Sequence, residues 1–518
     1  MKLAIGITAV QPQWSLLSGQ IGFPFSPLSS TEEISHSHIV TIIVSAKGSD
    51  NLRKNLLSYI HSGGSLLMEA PEAEWLFGIK SQRRYVDYIQ PRAESLFGNV
   101  LPGFIDASLT VPEEADDLFA NDGMNLVEIV REGKGSAVIL PGGLTGLVLN
   151  SDIRRRQFPS VSRYLPTERV ARCSKHTIRE IVQHSLEFLS RERKLPFVSL
   201  HPFPEGKPSC FNLRIDTDFA DEKYISDLYD LCRKHTISAS WFVETGSARK
   251  RLSQFEKMKD QEIGLHCFQH KVFKNYYESE TDIKHGKSLL TGDKISPSGY
   301  AAPFGEWNPS LAKAVESSGF KYSSEFGLAY DDHPFYPWLG DRFSSVLQLP
   351  VHPISAGRLK NAKHNEEDIK HYFAAVMDTN SAHRLPIFIY DHPSSANLDV
   401  LNWFMEQIQE KEISSVTLGG YAEWWKIRDR IKWGSDISTG KLTIKSSGIE
   451  KQAQLLVKNL DGSEAVTPMS DVITFNELDW QESTSLPTIV PMAVRNRISR
   501  KMLTNNFDHI RSKINPWK

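Results

Sequence analysis

From residue 211 to about 430, short apolar runs alternate with amphipathic segments, and ionisable residues gather where the apolar runs end. Residues 211–215, 239–243, 263–266, Tyr300, 346–351, 387–390 and 415–418 read as strands. Residues 223–235, 247–258, 309–317, 366–377, 398–410 and 421–431 read as the helices between them. Repeated strand–helix units build a parallel sheet, most simply a barrel or an incomplete one. In such barrels the chemistry lies at the C-terminal ends of the strands. Asp216, His266 and His392 all fall at or just past expected strand ends.

A chain of 518 residues exceeds one hydrophobic core. Residues 1–165 read as a separate α/β domain, with continuous apolar runs at 3–7, 39–45, 65–70 and 136–141 of the kind buried parallel strands require. A helix is expected over 177–193, with Ile178, Ile181, Val182, Leu186 and Leu189 on one face. It leads into a proline-rich connector, so 166–204 is expected to link two domains, with the barrel spanning 205–431. Residues 432–490 alternate and contain Asp461-Gly462, the mark of a small β module. Residues 491–518 read as a basic amphipathic helix, either docked on the protein or lying on an anionic bilayer.

The formal net charge of -2 leaves no electrostatic footprint for nucleic acid. Four scattered cysteines fit reduced thiols, and the apolar run at the N-terminus is too short for a signal peptide, so a cytoplasmic location is expected.

The chemistry centres on residues 262–270, Glu-Ile-Gly-Leu-His-Cys-Phe-Gln-His, taken with 214–218, Arg-Ile-Asp-Thr-Asp. Asp, His and His suffice as ligands for a catalytic divalent ion with one open position. By itself His-x-x-x-His describes a pair of core or surface histidines equally well. The carboxylates at a second strand end and His392 at a third favour the metal.

Three such coincidences in this order resemble the polysaccharide deacetylase family, carbohydrate esterases with the NodB-homology fold, over about residues 205–430. The resemblance implies a deformed (β/α) barrel. Residues 1–165 bear a weaker likeness to flavodoxin-type, amidotransferase-like domains. No cysteine precedes Cys173, so that domain lacks the amidotransferase nucleophile and a binding or scaffolding role is expected.

In the family, a Thr-Phe-Asp-Asp-Gly motif gives a general base and one metal ligand. Here one residue separates the aspartates, and strand positions two apart share a face. The resemblance therefore implies Asp216 as base, and Asp218, His266 and His270 as ligands. The ion expected is Zn²⁺, with Co²⁺, Ni²⁺ or Mn²⁺ as alternatives. Cys267 replaces the family's hydroxyl residue.

The Arg-x-Pro-Tyr motif appears as Ala301-Ala302-Pro303-Phe304, without the arginine that steadies the base. Arg214 could share the face of Asp216, although an edge-of-strand role is the simpler expectation. His392 is the implied general acid. Asp332, in Asp331-Asp332-His333, either orients it or is a solvated loop acid. Pro303, Phe304, Trp307 and Trp338 are candidate walls of a saccharide cleft, with core packing as the alternative for each tryptophan.

The implied activity is removal of N-acetyl groups from an acetylated saccharide, such as a lipid-linked surface-polysaccharide precursor. A peripheral membrane contact through the basic C-terminus would suit that substrate. A non-sugar amide or cyclic-amide hydrolase and a non-catalytic carbohydrate-binding scaffold are the competing expectations, the last favoured by Ala301.

Overall fold

The computed structural model describes residues 2–28, 38–120, 123–162, 164–438, 440–446 and 453–482. The basic segment 491–518 lies outside the described residues.

In the N-terminal region the strands Ile5–Ile7, Phe25–Pro27, Thr41–Val44, Ser65–Glu69 and Gly135–Leu140 are parallel. Numbered along the chain, they lie side by side in the order 2-1-3-4-5, and Asn125–Glu132 adds an antiparallel strand at one side. Thr41–Val44 and Gly135–Leu140 are buried throughout, as the unbroken apolar runs require. Helices Asp50–His61 and Ala70–Phe77 bury Leu56, Tyr59, Ile60, Ala73 and Leu76 on one face of the sheet. Ser49 caps the first of these helices by accepting the Leu52 N–H, and Gly64 must lack a side chain because a Cβ there would lie 2.2 Å from the Tyr59 ring.

Helix Lys175–Glu192 covers the other face with Ile178, Ile181, Val182, Leu186 and Leu189. The segment expected to link two domains is thus a core element of the first. The connector that follows it is also no free linker. Phe197–Leu200 pairs antiparallel with Gln454–Lys458, and His201, Pro202 and Phe203 are buried.

The second region is a ring of parallel strands. Leu347–Gln348, Tyr322–Ser323, Gly299–Tyr300, Glu262–Cys267, Ser240–Glu244, Cys210–Asp216 and Ile387–Asp391 follow one another in space. A lone parallel bridge from His352 to Ile389 brings the last strand back to the first, and Ser414–Ser415 adds a short pairing to Cys210–Phe211. With three strands only two residues long, this is a curled, deformed barrel. Strand Cys210–Asp216 is buried at every position, Asn212, Arg214 and Asp216 included.

Two barrel elements escape a periodicity argument. Strand Tyr322–Ser323 is too short to show alternation, and helix Tyr276–Gly292 buries Ser279, Asp282 and Gly286 beside only two aliphatic residues, Ile283 and Leu290. The helix expected over 247–258 is broken into Thr245–Ala248 and Leu252–Glu256.

The C-terminal strands form two antiparallel sheets. Trp433–Ser438, Lys441–Ser446 and Val472–Thr474 make one; Gln454–Lys458 and Glu464–Pro468, joined by Phe197–Leu200, make the other. Leu442, Ile444, Leu455, Val457 and Ile473 share the barrel's core, so this module has no core of its own. Buried Arg428, on the closing barrel helix Leu418–Arg430, ties the regions together. It donates to the carbonyls of Gly19, Gln20, Leu200 and His201. No helix among the described residues is long and apolar enough to cross a membrane.

Candidate metal centre

Three strand ends converge on Asp218. The carboxylate lies just beyond strand Cys210–Asp216, in a turn closed by the Ala220 N–H on the Thr217 carbonyl at 2.7 Å. His266 is the penultimate residue of strand Glu262–Cys267, and His270 sits in the loop after it. That loop is fixed from below, where buried Asp282 accepts the N–H groups of Phe268 at 3.0 Å and Gln269 at 2.8 Å. The separations are 3.0 Å from His266 Nε2 to Asp218 Oδ1 and 3.1 Å from His270 Nε2 to Oδ2. His392 Nε2 stands 3.2 Å from the same Oδ2.

The donor set suits a divalent cation. Asp218 Oδ1, His266 Nε2 and His270 Nε2 are buried and complete no well-aligned hydrogen bond, although buried polar atoms normally do. Burial would raise the pKa of Asp218, but the surrounding imidazoles outweigh it and hold this carboxyl far below the usual range.

Asp216 does not join this group of ligands. Its carboxylate receives Arg214 in a bidentate pair, Nε to Oδ1 at 2.8 Å and Nη2 to Oδ2 at 2.6 Å. Both side chains are almost wholly buried, and a third guanidinium N–H goes to the Ser324 carbonyl. The edge-of-strand expectation for Arg214 is therefore overturned, because residues two apart on one strand do share a face. Ala301, where the family resemblance asks for arginine, is buried, and Glu325, which accepts the Ala302 N–H at 3.2 Å, interacts electrostatically with Arg214. Burial pushes the Glu325 carboxyl up to about 7.

Residues 207–323 match the family model described as polysaccharide deacetylase. This part of the chain belongs to the polysaccharide deacetylase family. A curated relative, the peptidoglycan deacetylase of Helicobacter pylori (strain ATCC 700392 / 26695), is 29% identical over 136 residues, 25% of this chain. The chain spans 45% of that relative's length. Among solved structures, a polysaccharide deacetylase-family protein of Mycobacterium smegmatis shares 15% identity at a TM-score of 0.38, over 44% of this chain and 94% of that one. A family 4 carbohydrate esterase pseudoenzyme of Bacillus anthracis shares 13% at 0.32, over 43% and 66%.

Around the deacetylase-family centre, the remaining expected residues separate. Phe304 is at the rim, 58% exposed, with its ring 4.7 Å from that of His270; Pro303 is buried and starts the tight turn that presents it. Phe219, which sequence reasoning passed over, stands on another side of His270 at 5.4 Å and is 61% exposed. Both phenylalanines have positive φ, a backbone that non-glycine residues seldom adopt.

Trp307 is not a cleft wall, for it is buried in the core shared with the N-terminal region. Trp338 packs edge-on against Phe343 at 5.0 Å. Asp332 does not orient His392 either. It accepts from Arg179 Nε at 2.7 Å and Gln20 Nε2 at 3.0 Å, both from the N-terminal region. The carboxylate that shapes the His392 turn is Asp391, which takes the His392 N–H at 2.8 Å, Asn397 Nδ2 at 2.8 Å and the Ala356 N–H at 3.1 Å.

A second group of ligand-type residues lies in the barrel's contact with helix Lys175–Glu192. Buried Glu180 meets His176 Nε2 at 3.0 Å and His383 Nδ1 at 2.8 Å. Arg179 Nη2 stands 2.6 Å from His176 Nδ1. A guanidinium can only donate, so Nδ1 accepts and the ring proton is on Nε2, facing Glu180. Burial also holds His176 below the ordinary histidine range.

Proposed function

We propose that this chain is a metal-dependent hydrolase that removes N-acetyl groups from an acetylated saccharide. The observation that carries the reading is the site's division of labour: Asp218, His266 and His270 present free donor atoms, while Asp216 stands two residues away, held by Arg214.

The family fit supports Asp218, His266 and His270 as holders of a divalent ion, Zn²⁺ first among the candidates. When bound, such an ion supplies Lewis acidity and an acidified water. Asp216 is the proton acceptor. Two hydrogen bonds from Arg214 fix its rotamer, so the carboxylate is held in place to take a proton as a base.

His392 stands across Asp218 with its side chain 38% exposed, able to reach a leaving group and to donate a proton from Nε2. An amine departs only when protonated, so this donation completes the hydrolysis. The tight turn at Pro303–Gly305 takes its hydrogen bonds from the N–H groups of Gly305 and Glu306. The Phe304 N–H is outside that pattern, suited to the oxyanion of the tetrahedral intermediate.

Arg214 removes the main support for a non-catalytic scaffold, which was the missing arginine at Ala301. For the N-terminal domain we propose a non-catalytic role. The test is acetate release from N-acetylated glycans by purified protein of measured metal content. Ureides and imides serve as competing substrates for the cyclic-amide reading. Full activity and full metal content in His266→Ala and His270→Ala would refute the proposal.

A further inference from the structure

The N-terminal region extends toward the rim of the candidate centre in the hairpin of Ile153–Gln157 and Thr167–Ala171. Three contacts seat it on the barrel. The Ala171 N–H donates to the Phe326 carbonyl at 3.0 Å, Arg358 pairs with Glu168, and Arg169 pairs with Glu306. Glu306 is two residues from Phe304, a reach of at most ~7 Å of extended chain, and Phe304 touches His270.

The hairpin is rich in arginine, and most of it is spoken for. Arg154, Arg156 and Arg172 converge on the buried carboxylate of Asp106, and Arg172 also pairs with Asp152. The other face is different. Arg155 lies directly opposite Arg169 in the register, so both guanidiniums leave from the same side of the ribbon. Like charges directly opposite in a strand pair are destabilising. Glu306 offsets only one of them, and Arg155 is exposed with no ion pair or hydrogen bond among the described residues. An uncommitted guanidinium leaving the same side of the ribbon as a second one offers its own two-pronged N–H fork to a phosphate or carboxylate.

We infer that Arg155 and Arg169 form an oxyanion subsite of the cleft, so that the saccharide this site acts on carries an acidic substituent beyond the acetylated unit. The inference rests on the deacetylase reading for the identity of the bound molecule. It gives the N-terminal region a part in substrate selection, since the hairpin is its extension. The acidic group is either a phosphate ester or a uronic carboxylate.

The test uses the full-length, metal-loaded protein and two separate measurements. Calorimetric binding of inorganic phosphate at low salt needs no turnover, and the wild type is compared with Arg155→Ala and Arg155→Lys at equal metal content. The expected loss is about tenfold for alanine and less for lysine. Unchanged phosphate affinity in Arg155→Ala overturns the subsite whether or not the protein is a deacetylase. In the second measurement, KM is compared for neutral, phosphorylated and uronate-containing N-acetylated oligosaccharides. The expected result is a lower KM for one acidic series that Arg155→Ala abolishes at constant kcat, and that series identifies the acidic group. Equal KM for neutral and acidic substrates also overturns it.

Discussion

Two trios of histidine and carboxylate lie among the described residues, and what the neighbouring arginine does sets them apart. Asp218 with His266 and His270, and Glu180 with His176 and His383, each join one carboxylate to two histidines at similar distances. Each stands beside an arginine–aspartate pair, Arg214–Asp216 in one case and Arg179–Asp332 in the other. Arg214 spends its hydrogen bonds on Asp216 and a carbonyl, leaving the ligand atoms alone. Arg179 donates to a histidine ring and thereby fixes the proton on the nitrogen that an ion would need. We propose the first trio as a ligand set and read the second as a buried ionic clasp between the N-terminal helix and the barrel. Residue type and spacing nominate a site; the direction of one guanidinium decides between the two roles.

The sharpest way to break this contrast is to remove a histidine from each side. His270→Ala is expected to lower acetate release about 10³-fold and to abolish stoichiometric metal, read by elemental analysis. His383→Ala should keep both. If His383→Ala lost the ion, the clasp would have to be counted as a ligand set. Arg214→Met comes next: with Asp216 unfixed, kcat should fall about 100-fold with metal content unchanged. Arg214→Lys should recover only part of that, because an ammonium cannot reproduce the bidentate fork.

On the clasp side the readout is stability. His383→Ala leaves Glu180 short of a partner, and chemical denaturation should show a loss of about 3 kcal/mol. The smallest effect concerns the two carboxyls raised by burial, Glu325 and Asp331, both at about 7. Each unfolded carboxyl releases its proton at a lower pH than the folded one, so stability falls as pH rises from about 4 to 7. Glu325→Gln and Asp331→Asn should each flatten that slope by about 2 kcal/mol. An unchanged slope would mean that neither carboxyl is protonated in the native protein.

The candidate trio was legible because each member lies at or just past a strand end that apolar runs already mark. The Arg214–Asp216 pair was within reach too: alternation puts positions two apart on one face, and only the familiar place of the missing arginine drew attention to Ala301. Asp332 could not be placed, because Arg179 and Gln20 come from far along the chain and no local pattern announces them. Trp307 was ambiguous for the same reason, its burial being set by an interface between regions. Helix Tyr276–Gly292 hid behind buried polar residues, of which Asp282 has the specific task of holding the His270 loop. The proline-rich connector misled because its composition suits a linker while its strand Phe197–Leu200 has a partner near the other end of the chain.

That partnership bears on how the protein is made. Phe197 pairs with Lys458, so the strand leading into the barrel emerges from the ribosome long before the strand that completes its sheet. At about 5–20 residues per second the wait lasts on the order of tens of seconds. Throughout it, Val198 and Leu200 lack the cover that Leu455 and Val457 later provide. A nascent chain stalled or cut before residue 454 therefore carries an open strand edge beside its candidate centre's scaffold, a natural target for chaperones and proteases.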